Sequence, residues 1–147
     1  MSESQYQPPD LALVGPEHVR RYQETNGEVG YMWNGVPILL LTTTGRKSGQ
    51  PRTNGLIHGR DGGHYLVVAS MGGAPTHPNW YLNLQSRPEA EIQVRAQRMK
   101  VTARTAGDDE KPRLWKIMTD GWPNYDVYQT RTDRIIPLVV LTPSGPA

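Results

Sequence analysis

Residues 36–44 read VPILLLTTT, a continuous run of apolar and β-branched side chains. A run of this length and composition is typical of a β-strand that is buried on both faces. A basic loop bounded by glycine follows it, and two more strand-like runs come next, joined by the tight-turn sequence Asp61-Gly62-Gly63. We therefore interpret residues 39–69 as the segment around which the rest of the chain is organised.

The loop at residues 45–52 carries Arg46, Lys47 and Arg52 around Ser48 and Gly49. Cations gathered at the end of a buried strand repel one another unless an anion compensates them, and loop N–H groups add donors for a phosphate or carboxylate. The alternative is a solvated hairpin turn, since Gly-Gln-Pro is common turn chemistry. The residues alone leave both interpretations open.

The length of 147 residues predicts one domain with a substantial core, over residues 16–147. Residues 1–15 are polar, contain proline and lack periodicity, so we expect a flexible N-terminal arm there. The net charge is only +2, and Lys and Arg are spread along the chain rather than striped. This distribution argues against a nucleic-acid partner.

The sequence contains no cysteine, which excludes disulfides, thiolate catalysis and cysteine metal ligands. Its four histidines lack the spacing of a metal site, and no metal is expected. His58 and His64, on either side of the hairpin turn, are interpreted as surface residues. We see no signal peptide and no apolar run of membrane-spanning length, so the default location is cytoplasmic.

The remaining pattern predicts short helices and strands in alternation. Helices are expected over residues 16–26, 79–84 and 112–119, and in a short piece that Pro123 begins. Further strands are expected over residues 53–60, 64–71, 91–94, 99–105 and 135–142. With residues 36–44 this makes about six antiparallel strands with short flanking helices. The predicted fold class is α+β, a small closed or split β-barrel.

The sequence shows no motif for a catalytic group that would act without a cofactor. Ser70 has no glycine elbow around it, and paired carboxylates are lacking. Tyr125 and Tyr128 lie three residues apart on a helical piece, so both point the same way. An exposed pair of this kind can line a pocket and donate a proton, and the alternative is core packing. If the chain is an enzyme, a cofactor is expected to carry the chemistry.

The string LLTTTGRKSGQPR, followed by RDGG, VVAS, HPNWYLNL and TDRIIPLVVLTP, resembles the deazaflavin-dependent nitroreductase family of actinobacteria. The likeness extends over residues 36–143. This family implies a split β-barrel that binds the reduced coenzyme F420 and passes its hydride to an electron-poor acceptor: an activated alkene or enone, a quinone or a nitro compound. The alternatives are an FMN-dependent split-barrel oxidoreductase and a non-catalytic carrier that binds the deazaflavin.

The resemblance also implies site residues. Arg46, Lys47, Ser48 and Arg52 would hold the cofactor phosphate. The rest of the cofactor would contact Thr53, Asn54, Gly55, Leu56, Ile57, Val68, Ala69, Ser70, Met71, Asn79, Trp80, Tyr81, Leu82, Asn83 and Tyr125. Tyr125 and Tyr128 match tyrosines on the substrate side of the ring, and with Ser70 they are the candidate catalytic residues.

Three positions depart from the family pattern. Met71 stands where some members have a lysine, Ile57 stands where nitroimidazole-reducing members have a tyrosine, and Trp122 also replaces a tyrosine. These changes surround the expected acceptor pocket, so they bear on acceptor specificity. The expected partner is a small-molecule hydride acceptor, with peripheral membrane contact if that acceptor is a quinone. The sequence does not indicate the oligomeric state.

Overall fold

The computed structural model describes residues 15–147, so the predicted N-terminal arm lies, except for its last residue, outside the described residues. The helices are α1 (Gly15–Thr25), α2 (Asn79–Ser86), α3 (Lys111–Gly121) and α4 (Asn124–Thr130), with a 3₁₀ turn at Met71–Gly73. The strands are β1 (Met32–Trp33), β2 (Val36–Thr44), β3 (Pro51–Ile57), β4 (Gly59–Asp61), β5 (His64–Val68), β6 (Glu89–Val94), β7 (Gln97–Thr105) and β8 (Leu138–Pro146).

The strands form one curled antiparallel sheet in the order β1-β2-β6-β7-β8-β5-β4, and β3 pairs with β2. The predicted α+β split barrel is therefore confirmed, with eight strands among the described residues instead of about six. The additional strands, β1 and β4, are only two and three residues long. Such short pieces carry no periodic signal in the sequence.

Strand β2 has the bounds that its composition predicted, and it is buried on both faces. Leu39 and Leu41 point into the barrel core, while Ile38 and Leu40 pack under Tyr22 of α1. Successive side chains of a strand point to opposite faces, so a strand between two packed layers needs an unbroken apolar run. Packing on both faces of β2 therefore explains the continuous apolar and β-branched run at residues 36–44.

Helix α1 is anchored in the core by one aromatic residue. The sequence predicts only a weakly amphipathic helix here, yet Tyr22 is completely buried. Its hydroxyl donates to the carbonyl of Ile38 (3.0 Å) and accepts from the backbone N–H of Arg95 (2.8 Å). A buried tyrosine needs such partners for its hydroxyl, and here they tie α1 to β2 and to the β6–β7 hairpin.

The predicted strand at 53–60 is wrong in one respect, because the chain breaks it at His58. Strand β3 pairs with β2, whereas β4 pairs with β5. His58 is buried between the rings of Tyr31 (6.2 Å) and Tyr65 (5.8 Å), so its interpretation as a surface residue is also wrong. The change of strand partner thus falls at a buried residue. Within residues 15–147 no group of three or more potential metal ligands is found.

Two other predicted strands have different ends in the structure. The strand at 64–71 ends at Val68, because the chain then enters a 3₁₀ turn with left-handed backbone at Met71 (φ 47°). The last strand begins at Leu138 and ends at Pro146, whereas the predicted range of 135–142 begins three residues and ends four residues too early. Both errors fall at element ends, where non-local contacts outweigh local preference.

Candidate functional site

Two neighbouring cavities lie between β3 and the start of α2. The first, which we call the aromatic cavity, has a volume of about 530 Å³. Its walls come from α1, from β3, from the end of β5 and the 3₁₀ turn, and from the start of α2, with three aromatic residues contributed by the α4 region: Trp122, Tyr125 and Tyr128. The second, the basic cavity, has a volume of about 460 Å³ and lies between the β2–β3 loop and α2.

The β2–β3 loop is held in one conformation by its own bonds. The N–H of Gly45 donates to the carbonyl of Gln50 (2.8 Å), and the N–H of Gly49 donates to the carbonyl of Gly45 (2.8 Å). A Cβ atom on Gly45 would lie only 2.6 Å from Ser48 Oγ, so the close approach of this side chain requires glycine. The loop thereby presents its basic side chains to the basic cavity.

The three cations of the loop differ in how they are satisfied. Arg46 donates to the side-chain oxygens of Asn83 (3.0 Å) and Asn79 (3.4 Å). Within the described residues, neither Lys47 nor Arg52 forms an ion pair with a carboxylate. Cations that line a cavity without a counter-ion favour an anionic ligand. This arrangement supports the anion-site interpretation over the plain solvated turn.

The two cavities are contiguous. Asn54 of β3 and Asn79 and Trp80 of α2 line both of them. Trp80 is buried and forms part of the shared wall. The combined space is therefore basic at the end beside the loop and aromatic at the other.

Tyr125 and Tyr128 do point the same way, with ring centroids 6.1 Å apart, and both line the aromatic cavity. Tyr125 is only 4% exposed, so the core-packing alternative describes its ring, although the residue also lines the cavity. Burial raises the pKa of the Tyr125 hydroxyl well above its usual range, and the neighbouring Tyr128 acts in the same direction. Tyr125 is therefore a neutral phenol at physiological pH, a hydrogen-bond donor rather than a source of phenolate.

The other end of the aromatic cavity is formed where β5 ends. Ser70 is buried and lines the cavity, and Met71, 55% exposed, lies at its rim. The carbonyl of Ser70 accepts a hydrogen bond from Arg134 Nη2 (2.7 Å).

Most of the predicted site residues line one or both cavities. These are Arg46, Lys47, Ser48, Arg52, Thr53, Asn54, Gly55, Leu56, Ile57, Val68, Ser70, Met71, Asn79, Trp80, Asn83, Tyr125 and Tyr128. Ala69, Tyr81 and Leu82 do not. Ala69 is fully buried in the barrel core, and the Tyr81 hydroxyl bonds to Thr105 Oγ1 (2.8 Å). Adjacent residues on a strand or helix point in different directions, which a contiguous sequence motif does not resolve.

The sequence provides no indication of several wall residues. His18, Trp33, Ile38 and Pro78 all line the aromatic cavity. His18 is buried and bonds through Nε2 to the carbonyl of Gly30 (2.7 Å). Trp33 packs on Trp122 with ring centroids 5.7 Å apart, and its indole N–H has no partner among the described residues. His18 and Trp33 lie outside the quoted motifs and reach the cavity only through the fold.

Comparison with known proteins places the chain in a family. The profile of the F420H(2)-dependent quinone reductase family matches residues 15–143. An F420H(2)-dependent quinone reductase of Mycobacterium tuberculosis (strain ATCC 25618 / H37Rv) is 48% identical over 129 residues, which cover 85% of this chain and 87% of the relative. The chain therefore belongs to the F420H(2)-dependent quinone reductase family. The resemblance to deazaflavin-dependent reductases that the motifs indicated is confirmed.

Solved structures agree with this assignment. An F420-H2 dependent reductase, FDR-A, superimposes with a TM-score of 0.67 at 40% identity, covering 71% of this chain and 93% of that one. A second structure, described as a domain-swapped dimer, has a TM-score of 0.69 at 37% identity and covers 85% of this chain and 94% of its own. Over residues 15–147, no helix has both the length and the apolar character needed to cross a membrane.

Proposed function

We propose that the protein binds coenzyme F420 across both cavities and uses it to reduce a quinone. The observation that carries the proposal is the continuity of the basic cavity with the aromatic cavity through Asn54, Asn79 and Trp80. F420 has an acidic tail and a flat deazaflavin ring, and the two ends of the combined space match these two parts. Bound F420H2 supplies a hydride to the acceptor.

The basic cavity would hold the phosphate. Lys47 and Arg52 carry charges that no described carboxylate compensates, and Ser48 adds a hydroxyl beside them. Charge-assisted hydrogen bonds from such groups are stronger than neutral ones. Arg46 would contribute through its charge, since Asn83 and Asn79 already hold its guanidinium.

The aromatic cavity would hold the ring and the acceptor together. Val68 and Ser70 line it together with Trp122, Tyr125 and Tyr128. Walls of this kind orient two flat molecules and exclude water, which is the main contribution that a protein can make to hydride transfer. The Tyr125 hydroxyl, kept protonated by its burial, would donate a hydrogen bond to a quinone carbonyl oxygen as negative charge develops there.

Single-turnover oxidation of F420H2 under anaerobic conditions tests this proposal. Purified protein is mixed with F420H2 and then with a quinone, an enone or a nitro compound, and the loss of reduced cofactor is followed optically. We expect stoichiometric two-electron oxidation with the quinone. F420 binding without turnover for any acceptor would identify a carrier instead, and copurified FMN that supports the same activity would identify an FMN enzyme.

A further inference from the structure

The segment that joins β5 to α2 is backbone-strained where it lines the aromatic cavity. Met71, Gly72 and Gly73 have φ values of 47°, 65° and 87°, all in the left-handed region, which is unfavourable for methionine. Inside the turn, Gly73 N–H donates to Ser70 O (2.9 Å) and Ala74 N–H donates to Met71 O (3.1 Å). A strained turn persists only if the surrounding structure supports it.

Arg134, in the connection between α4 and β8, supplies that support. Its Nε donates to the carbonyl of Ala74 (2.8 Å), Nη1 to that of Ala69 (3.1 Å) and Nη2 to that of Ser70 (2.7 Å). One planar guanidinium thus closes the turn by binding the carbonyls at both of its ends. Five donors in a fixed plane make this geometry specific to arginine, since a lysine ammonium cannot reproduce it.

The same guanidinium also reaches the start of α2. Arg134 Nη1 lies 3.0 Å from His77 Nδ1. Because an arginine N–H only donates, His77 Nδ1 must accept, so this imidazole is neutral with its proton on Nε2. His77 directly precedes Pro78, Asn79 and Trp80, which line the aromatic cavity. Arg134 therefore connects the turn to the helix that forms the shared wall.

A residue of α4, Gln129, holds the backbone around Arg134. Gln129 Nε2 donates to the carbonyl of Arg134 (2.8 Å), and Gln129 Oε1 accepts from the N–H of Ile136 (3.0 Å). The turn itself packs closely on α4, because a Cβ atom on Gly73 would lie 2.6 Å from the carbonyl oxygen of Tyr128. Arg134 thus contacts the turn and His77 through its guanidinium and α4 through its backbone carbonyl, and no described carboxylate pairs with it.

We propose that Arg134 is a positioning residue for hydride transfer. It fixes the Ser70–Gly72 wall relative to the start of α2 and to the helix that carries Tyr125 and Tyr128, and so sets the distance between ring and acceptor. This inference rests on the proposed function. Hydride transfer depends steeply on such a distance, and a displacement of about 1 Å can cost about 10²-fold in rate.

The test compares Arg134→Lys and Arg134→Gln with Arg98→Lys, a control at an exposed arginine of β7. We expect both Arg134 variants to lose about tenfold or more in single-turnover hydride transfer at saturating cofactor. Their F420 dissociation constants should rise much less than the rate falls, because the guanidinium makes no hydrogen bond to the cations of the basic cavity. A wild-type rate in Arg134→Lys overturns the inference, as does an equal loss of rate and F420 affinity, which indicates general damage to the fold.

His77→Leu keeps the inference testable if the Arg134 variants do not fold, since it removes only one of the four hydrogen-bond partners of the guanidinium. We expect a severalfold lower hydride-transfer rate with an unchanged unfolding midpoint, and a wild-type rate contradicts the connection to α2. Amide hydrogen exchange at Gly73 and Ala74 measures how often the turn opens, and it does not require catalytic activity. Faster exchange there in the variants shows that Arg134 holds the turn, and unchanged exchange contradicts the inference. A wild-type protein that does not oxidise F420H2 contradicts the proposed function instead.

Discussion

The side-chain oxygen of Asn83 accepts hydrogen bonds from both the backbone N–H of Arg46 (3.1 Å) and its guanidinium Nη1 (3.0 Å). The amide nitrogen of Asn83 donates in turn to Thr43 Oγ1 (3.1 Å), and the asparagine is buried. One side chain of α2 thereby fixes the backbone at the start of the basic loop and directs one of its cations. Lys47 and Arg52 are left to face the cavity.

Replacing Asn83 by alanine should therefore destabilise the fold. The backbone N–H of Arg46 and the hydroxyl of Thr43 would both lose a partner, and each such loss typically costs about 1–3 kcal/mol. We expect the free energy of unfolding in urea to fall by at least about 1 kcal/mol. Gln85→Ala, at an exposed position of the same helix, is the matched control. An Asn83→Ala protein as stable as this control would contradict the structural role.

Asn83→Asp separates the structural role from the electrostatic one. The carboxylate can still accept from Arg46, so we expect the fold to be retained. It also places a negative charge in the wall of the basic cavity, which should weaken the binding of a phosphate-bearing ligand. Titration with F420 at two salt concentrations checks this, and unchanged affinity at low salt would argue against an anion in this cavity.

Removing the two uncompensated cations should weaken cofactor binding directly. We expect Lys47→Ala and Arg52→Ala each to reduce F420 affinity by roughly 1.5–3 kcal/mol, which corresponds to a charge-assisted hydrogen bond. Stability should change little because neither residue forms an ion pair among the described residues. Isothermal titration measures the affinities, with Lys100→Ala as a control on an exposed lysine. Unchanged affinity in both variants would exclude the phosphate assignment.

The two tyrosines of α4 should contribute to rate through their hydroxyl oxygens. A positioned donor is typically worth about 10²–10⁴-fold, and a residue that only packs loses little when its oxygen is removed. We expect Tyr125→Phe or Tyr128→Phe to lose about tenfold or more in single-turnover hydride transfer, with F420 affinity intact. Tyr31→Phe, outside both cavities, is the control. Wild-type rates in both variants would mean that solvent supplies the proton.

His58 should make the fold sensitive to mild acid. Burial, with a smaller contribution from the charge of Arg60, lowers the pKa of His58 from 6.5 to about 4. Between these values the unfolded chain binds a proton that the folded chain does not, so stability is complete above pH 6.5 and falls as the pH drops toward 4. The expected loss is about 3 kcal/mol, at 1.36 kcal/mol per pH unit.

His58→Phe keeps an aromatic ring between Tyr31 and Tyr65 but removes the titrating group. Urea unfolding of both proteins at several pH values between 7 and 4 measures the difference in slope. We expect the variant to lose less stability over this range. Glu110 is present in both proteins and affects their stability at lower pH. Hydrogen bonds from Arg104 and from the N–H of Gly107 lower its pKa to about 2. Equal slopes would mean that His58 does not titrate in this window.

Local signals in the sequence determined much of this protein. The continuous apolar and β-branched run of β2 predicted its bounds, because a strand packed on both faces favours such side chains at every position. The sequence also predicted the Gly62-Gly63 turn between β4 and β5, because a two-residue hairpin loop needs residues that accept left-handed backbone. The basic loop and the ordered motifs indicated a deazaflavin reductase, and the family comparison confirmed it.

Only the tertiary structure decided how these parts act together. Arg46 meets Asn83 across 37 residues, and Arg134 meets the turn after β5 across 60 to 65. No local preference encodes such partners, because hydrogen bonds of this kind depend on where the sheet and helices bring distant segments. The burial of Tyr125 and the break at His58 have the same origin. Periodicity and turn chemistry are properties of neighbours in the chain, whereas burial and polar partners are properties of neighbours in space.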